Sequence, residues 1–289
     1  MPVRAEFVVS LPSRKLLLGQ RTLIMGILNV TPDSFYDGGR YLKLPDAIAR
    51  GIRMVEDGAD LIDIGGESTR PPHYHVLPVA EEIRRVVPVI EALKKRVRVP
   101  IAIDTYKAAV AEAAMAAGAE MINDIGGFRL DPRLPAVAAR TKSAVILVHS
   151  RGKAASLHSS PGVKNITRAV TESMKRSIKR AINAGVRREQ LIVDPGLGFG
   201  KRAEENWILL RNLARFHVFG LPLLVGASRK SFVGGALRES VEGRLMGSLA
   251  CASIAILGGV HILRVHDVKE TVQVAKVCDT LMDPFEKGQ

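Results

Sequence analysis

Polar side chains stand at the ends of several short, β-branched runs in this sequence. Asn29, Asp104, Asn123-Asp124, His149 and Asp194 stand at the ends of such runs. Further polar residues end or follow other runs: Gly65-Gly66-Glu67-Ser68-Thr69-Arg70, Ser228-Arg229-Lys230 and Arg264-Val265-His266-Asp267. A single Asp or Asn after a strand is often only the cap of the next helix. Carboxylates, carboxamides and cations at so many successive strand ends instead predict one polar ligand site.

The cations and the carboxylates of this set suit different ligand groups. The cations come from three different loops and are Arg70, Lys230, Arg264 and His266. They favour an oxyanion such as diphosphate, which Arg can bind in a bidentate fashion. Asp104 and Asp194, if buried, suit a ligand with a fork of N–H donors, such as the 2-amino-4-oxo edge of a pterin or a guanine. The residue types alone leave the substrate open.

Alternation between β-branched runs and longer helical patterns organises the whole chain. The predicted strands are residues 23–29, 61–64, 101–104, 121–124, 144–149, 191–194, 223–226 and 262–265. Such alternation is typical of βαβ units around a parallel sheet. The clearest helical pattern has apolar residues at four-residue spacing ahead of Gly185: Ile166, Val170, Met174, Ile178 and Ile182.

Eight strands in a chain of 289 residues predict an α/β fold, a (β/α)8 TIM barrel that forms a single domain over residues 1–289. A doubly wound open sheet is the alternative, but the sequence lacks its glycine-rich dinucleotide turn. In a parallel barrel the carboxyl ends of all strands share one face, where chemistry is assembled. Residues 1–20 are expected to form an arm or hairpin that plugs the opposite end.

Composition narrows the class of protein. The net charge of +13 could indicate nucleic-acid binding, but Lys and Arg are spread along the chain without interleaved aromatics, so we expect no nucleic-acid partner. Cys251 and Cys278 lie in helical patterns without metal-ligand spacing, which suits a reducing cytoplasm. The apolar stretch 245–263 is broken by polar residues and glycines, so we predict a buried helix and a strand, with no membrane partner.

At the same polar residues the sequence resembles dihydropteroate synthase, from about residue 23 to residue 268. The matching motifs are residues 25–35 with Asp37-Gly38-Gly39, residues 62–71, Asp104-Thr105, residues 122–125, residues 194–201, residues 228–232 and residues 264–268. One such motif would be weak, but motifs in order on separate strands are specific. The resemblance implies a barrel, a homodimer, small-molecule substrates and Mg²⁺ as cofactor.

The resemblance also implies roles for individual residues. It assigns the pterin to Asp104, Asn123, Asp194 and Lys230. It assigns the diphosphate to Asn29, Thr69, Arg70, Arg264 and His266, with Mg²⁺ at Asn29. It assigns 4-aminobenzoate to Phe35, Pro71, Phe199 and Ser231, together with Asp37, which would help to stabilise a cationic intermediate. The residues expected to act in catalysis are Arg70, Lys230, Arg264, His266 and Asp37.

One stretch departs from the family pattern, and one rival class shares the barrel. The family usually has Met-His-Met-Gln-Gly after the fifth strand, whereas this chain has Val148-His149-Ser150-Arg151-Gly152. Because both methionines are replaced, we predict that different side chains pack against the face of the pterin ring. The rival is a pterin-binding methyltransferase domain that uses methyltetrahydrofolate. Such a domain releases no diphosphate, so the cations Arg70, Lys230 and Arg264 favour the synthase.

Overall fold

The β-branched runs form eight parallel strands in a computed structural model that describes residues 4–31, 44–67, 76–152 and 161–282. These strands are β3 (Leu23–Asn29), β4 (Leu61–Gly65), β5 (Ile101–Asp104), β6 (Met121–Asp124), β7 (Ala144–Val148), β8 (Leu191–Asp194), β9 (Leu224–Val225) and β10 (Ile262–Val265). The predicted bounds are correct except at β4, β7 and β9, where they differ by a residue at one or both ends.

The strands close into a barrel, which confirms the predicted fold class. Their order is β8-β7-β6-β5-β4-β3-β10-β9, and a parallel bridge between Val193 and Leu223 joins the two outermost strands. The helices that cover it are α1 (Leu44–Glu56), α2 (Val79–Lys94), α3 (Ala108–Ala116), α4 (Leu134–Thr141), α5 (Ile166–Asn183), α6 (Ala203–Arg211), α7 (Ser231–Leu237), α8 (Leu245–Leu257) and α9 (Val268–Met282). Because the eight strands are parallel, their carboxyl ends all lie at one face, the mouth of the barrel.

Side-chain alternation divides each strand between two apolar clusters. In β4, Ile62 and Ile64 face the helices, whereas Leu61 and Asp63 belong to the barrel interior. The lower interior is apolar and contains Leu23, Met25, Leu61, Ala102, Met121, Ala144, Ile146, Ile192, Leu224 and Ile262. Polar interior residues such as Asp63 follow toward the mouth, so the site rests on a packed apolar floor.

Helix α5 follows its predicted extent, but its buried face differs from the prediction. Asn165 caps it by accepting the N–H of Arg168 at 3.0 Å, and Gly185 follows its end with φ +92°. Ile182 is exposed, and Ser177 and Ala181 are buried instead. Four residues turn a helix by about 40° beyond a full turn, so a strict four-residue stripe rotates away from the core.

The bottom of the barrel is covered by an antiparallel hairpin of β1 (Phe7–Ser10) and β2 (Lys15–Leu18). Val9, Leu11 and Leu18 of this hairpin join the interior apolar cluster. Within the described ranges, no single helix has the length and apolar composition of a membrane span. Only α7 and the segment Glu242–Leu257 reach that composition together, and they are bent by 87°.

Candidate active site

Register partners on adjacent strands build the mouth of the barrel. Asn29 on β3 lies opposite Gly65 on β4, and Gly65 lies opposite Asp104 on β5. Asp104 in turn lies opposite Asn123 on β6. Gly65 has no side chain, and a Cβ there would be 3.8 Å from Asn29 Oδ1 and 3.9 Å from Asp104 Oδ2. The carboxamide of Asn29 and the carboxylate of Asp104 thus flank one small gap.

Arg264 lies at the centre of this polar layer, held by two carboxylates. Its Nε donates to Oδ2 of Asp63, and its Nη2 donates to Oδ2 of Asp104. Arg264 enters from β10, which pairs with β3, so it reaches across β3 to strands β4 and β5. An Arg placed in this way keeps further N–H donors for a ligand, because a guanidinium has five.

The carboxylates around Arg264 crowd one another. Burial raises the pKa of Asp104 to about 7; Arg264 opposes this shift, and the charges of Asp63, Glu82 and Asp124 reinforce it. Burial lowers the pKa of Arg264, but Asp63 and Asp104 outweigh it and raise that pKa overall. Arg264 therefore stays charged, and Asp104 is the member of this pair that can take up a proton near neutral pH.

Asn123 presents a buried acceptor toward the interior. Its Nδ2 donates to Oδ2 of Asp63 at 2.9 Å, while its Oδ1 is buried without a hydrogen-bond partner among the described residues. Oδ1 of Asp63 and Nδ1 of His149 are likewise buried and unpaired within this part of the chain. Buried polar atoms normally have partners, so the unpaired atoms of Asn123 and His149 at this mouth indicate that a ligand completes them.

Asp194 and Lys230 face each other on the other side of the mouth. Asp194 is buried and accepts the N–H of Gly196 at 2.7 Å. Burial raises its pKa, and the charge of Lys230 opposes that shift. Lys230 donates to the carbonyl of Leu197, and burial lowers its pKa to about 8. Its Nζ lies 4.4 Å from the ring centroid of Phe199, so one cation bonds a backbone carbonyl and covers an aromatic face.

The loops after β9 and β10 are tied together by paired side chains. Ser228 Oγ accepts the backbone N–H of His266 at 3.1 Å and lies 3.0 Å from Nδ1 of the same ring. Arg229 forms a bidentate pair with Asp267, at 2.6 and 2.9 Å. Ser231 begins α7, is exposed, and lines a hollow of ≈ 420 Å³ between α6 and α7. His266 and Ser231 therefore lie on the rim.

The structure separates one polar strand end from the site and ties two side chains of the departing stretch to other loops. Asp124 points away from the interior and accepts the N–H groups of Gly126 and Phe128, so it acts as a loop cap. In the departing stretch, Arg151 pairs with Glu205, and Ser150 Oγ accepts from Arg129 at 3.2 Å. The predicted residues Phe35, Asp37, Thr69, Arg70 and Pro71 lie outside the described residues.

Sequence reasoning missed Asp63 and Lys201. Asp63 is a fully buried acid in the otherwise apolar strand β4, and that isolation was the available signal. Lys201 donates to the carbonyls of His149 (3.0 Å), Gly196 (2.6 Å) and Phe199 (3.0 Å). It thereby joins the loops after β7 and β8, a role for which the sequence has no local sign.

Comparison with known proteins agrees with this geometry. A family model described as pterin binding enzyme matches residues 25–266. A dihydropteroate synthase of Synechocystis is 45% identical over 264 residues, which cover 91% of this chain and 91% of that protein.

Two crystal structures of dihydropteroate synthases have the same fold. The Yersinia pestis enzyme, in a complex with a sulfonamide drug, is 43% identical, with a TM-score of 0.88 over 95% of this chain and 98% of its own. The Xanthomonas albilineans enzyme with 4-aminobenzoic acid is 40% identical, with a TM-score of 0.89 over 96% of this chain and 99% of its own.

Proposed function

This chain belongs to the pterin-binding enzyme family, and from that membership we infer that it catalyses the dihydropteroate synthase reaction. It is a transferase of folate biosynthesis that joins 6-hydroxymethyl-7,8-dihydropterin diphosphate to 4-aminobenzoate, giving 7,8-dihydropteroate and diphosphate. The observation that carries this conclusion is the polar layer at the barrel mouth, where buried acceptors lie beside Arg264 and Lys230.

The pterin is assigned to the deep side of the mouth. Asp104, Asn123 and Asp194 offer carboxylate and carbonyl acceptors for the N–H donors of the pterin ring. Lys230 offers a donor beside Asp194 for the ring's acceptor atoms. The unpaired Oδ1 of Asn123 supports this assignment, because a buried acceptor without a partner is costly until a ligand donates to it.

The diphosphate is assigned to the cationic side of the mouth. Arg264 and His266 lie on the strand and loop that face it, and Thr69 and Arg70 complete this group in the proposal. Mg²⁺ fits at Asn29, since the carboxamide oxygen lies at the rim near a carboxylate, and such a cation takes oxygen ligands and keeps several waters. When bound, it would neutralise negative charge on the diphosphate.

The rim around Phe199 is assigned to 4-aminobenzoate. Phe199 offers an aromatic face backed by Lys230, and Ser231 at the start of α7 offers a hydroxyl to the carboxylate. Phe35 and Pro71 are the other proposed contacts, with Asp37 near the reacting carbon. Gly196 permits the tight packing behind this rim, since a Cβ there would lie 1.9 Å from the carbonyl oxygen of His149.

The chemistry proposed for this site is a dissociative substitution. The bond between the exocyclic methylene carbon and the diphosphate oxygen breaks, and its electron pair leaves with the diphosphate. Arg264, His266 and Arg70 stabilise that developing negative charge, while the electron-rich dihydropterin delocalises the positive charge. The amine nitrogen of 4-aminobenzoate then bonds to the carbon and loses its proton afterwards. No strong general base is required, and Asp37 is proposed to stabilise the cation.

Isothermal titration tests the function directly. We expect the pterin diphosphate to bind more tightly with Mg²⁺ than without it, and 4-aminobenzoate to bind only after the pterin diphosphate or with diphosphate present. With both substrates present, dihydropteroate should then be detected as the product. Binding of methyltetrahydrofolate with no turnover of the pterin diphosphate would instead support the methyltransferase alternative.

A homodimer and a cytoplasmic location complete the proposal. Helices α8 and α9 pack against each other and expose large apolar side chains, among them Met246, Ile254, Val277 and Leu281. A second copy of the chain is the proposed cover for these side chains. Sedimentation of the purified chain as a monomer at micromolar concentration would contradict this part.

A further inference from the structure

Asp63 is an acid buried in the interior wall of the barrel. Its side chain is 0% exposed, and it lies in the middle of β4, between Leu61 in the apolar floor and Gly65 at the mouth. A carboxylate in such a place is costly unless its partners compensate it. Its two partners, Arg264 and Asn123, both belong to the proposed substrate site.

The contact with Arg264 holds the guanidinium from below. Asp63 accepts from Nε, the donor nearest the stem of the side chain, whereas Asp104 accepts from Nη2 at the tip. Asp104 is 21% exposed and lies at the mouth, where the pterin is proposed to bind. Asp63 is sealed from the mouth, so its bond can persist when Asp104 turns to the ligand. The plane of Arg264 then stays fixed while the diphosphate departs.

The contact with Asn123 sets the orientation of a carboxamide. An ionised carboxylate can only accept hydrogen bonds, so it must face the NH₂ end of Asn123. The observed bond runs from Asn123 Nδ2 to Asp63 Oδ2 at 2.9 Å. The carbonyl end therefore faces away from Asp63, and this is the buried oxygen without a partner among the described residues. Asp63 in this way selects a donor edge on the ligand.

We propose that Asp63 is a positioning residue that orients Arg264 toward the leaving diphosphate and Asn123 toward the pterin through one carboxylate. The inference rests on the proposed function and deepens it. It predicts two separable effects of losing the charge. Catalysis should weaken through Arg264, and pterin binding should weaken through Asn123, although Asp63 is sealed from the mouth.

Asp63→Asn tests the proposal because it keeps the shape of the side chain and removes its charge. We expect kcat to fall by about 10- to 100-fold, the scale for loss of a supporting carboxylate. We expect the dissociation constant of 6-hydroxymethylpterin, which has no diphosphate, to rise by about 10-fold, since an amide at residue 63 no longer dictates the orientation of Asn123. Titration calorimetry and steady-state kinetics measure the two effects.

Asp124→Asn is the matched control. Asp124 is also a buried carboxylate, on β6, which β5 separates from β4, but it bonds the backbone of Gly126 and Phe128 and not Arg264 or Asn123. We expect it to lower Tm and to leave kcat and pterin affinity within about threefold of wild type. Equal losses of kcat and affinity in Asp124→Asn and Asp63→Asn would reduce Asp63 to a structural residue.

A double-mutant cycle with Arg264→Ala separates positioning from general damage. If Asp63 acts on kcat through Arg264, Asp63→Asn should lower kcat by less than about threefold in the Arg264→Ala background. An undiminished loss in that background would overturn the proposal. If Asp63→Asn does not fold, the exchange variant Asp63→Asn/Asn123→Asp restores the net charge and a donor–acceptor pair, and it should bind the pterin. Wild-type enzyme that makes no dihydropteroate would instead refute the function itself.

Discussion

The mouth and the bottom of the barrel both bury polar side chains, but they satisfy them differently. At the bottom, His261 is fully buried, its Nδ1 accepts the N–H of Leu223 at 3.1 Å, and its Nε2 lies 3.0 Å from the carbonyl oxygen of Ala5. At the mouth, Asn123 Oδ1 and His149 Nδ1 are buried and unpaired within the described residues.

This difference distinguishes stability from function within one barrel. The bottom uses its polar groups to fasten the hairpin, and Arg4 there donates through Nη2 to Asp279 and Thr22, while its Nε is buried and unpaired in the described part. The mouth instead keeps buried atoms of Asn123 and His149 unpaired in the described part, which costs free energy until substrate binds. Equivalent changes at the two ends should therefore affect different measurements.

The largest expected effect is at the mouth. Arg264→Ala should cost ~2–4 kcal/mol of transition-state stabilisation, the scale for one preorganised donor to developing negative charge. It should appear as a lower kcat/KM for the pterin diphosphate. The matched change at the bottom, Arg4→Ala, should lower the free energy of unfolding by ~1–3 kcal/mol and leave kcat/KM near wild type. Wild-type turnover in Arg264→Ala would break the comparison.

The two ends should also respond to pH in opposite directions. Burial lowers the pKa of His261 to about 4, below its unfolded value of about 6.5. Its stabilising contribution, on the order of 3 kcal/mol, is complete above pH ~6.5 and is lost as pH falls toward 4. Denaturant titration of wild type and His261→Ala between pH 4.5 and 7.5 measures this contribution. If the free energy of unfolding changed with pH equally in both proteins, the prediction would be wrong.

At the mouth, the pKa shift of Asp104 makes folding stability depend on pH in the opposite direction. Its folded-state pKa of about 7 lies above the unfolded value of about 3.9, so the folded protein favours the protonated form. Asp104 should therefore lower stability as pH rises from about 4 through about 7, and Asp104→Asn should remove that decline. Pterin binding needs the carboxylate as an acceptor, so wild-type affinity should increase from pH 6 to pH 8.

The smallest expected effect sharpens the distinction between binding and folding. Asp194→Asn keeps an acceptor for the N–H of Gly196 but removes the negative charge of the carboxylate. Burial disfavours that charge, as the raised pKa of Asp194 indicates. We expect pterin binding to weaken by ~1–3 kcal/mol, with Tm equal to or above that of wild type. Calorimetry and thermal unfolding on the same sample test this, and a lower Tm with unchanged affinity would oppose it.

Strand positions and the general content of the site could be predicted because both are local. The β-branched runs near residues 101–104 and 191–194 form strands with the predicted bounds, and their last residues lie at the mouth, as parallel strands require. The buried face of α5 could not be predicted from spacing alone, because the core selects Ser177 and Ala181 over Ile182. Asp124 shows the same limit, since only its neighbours identify it as a cap.

The sequence by itself determined which residue types stand at the strand ends, because a strand's end and the residue type there are properties of a few adjacent residues. Tertiary structure alone decided how these groups pair. Arg264 and Asp63 are separated by 201 residues, and Arg264 and Asp104 by 160, so their contacts depend on barrel closure and strand register. For that reason Asp63, which lies below the mouth and touches two site residues, emerges only from the folded chain.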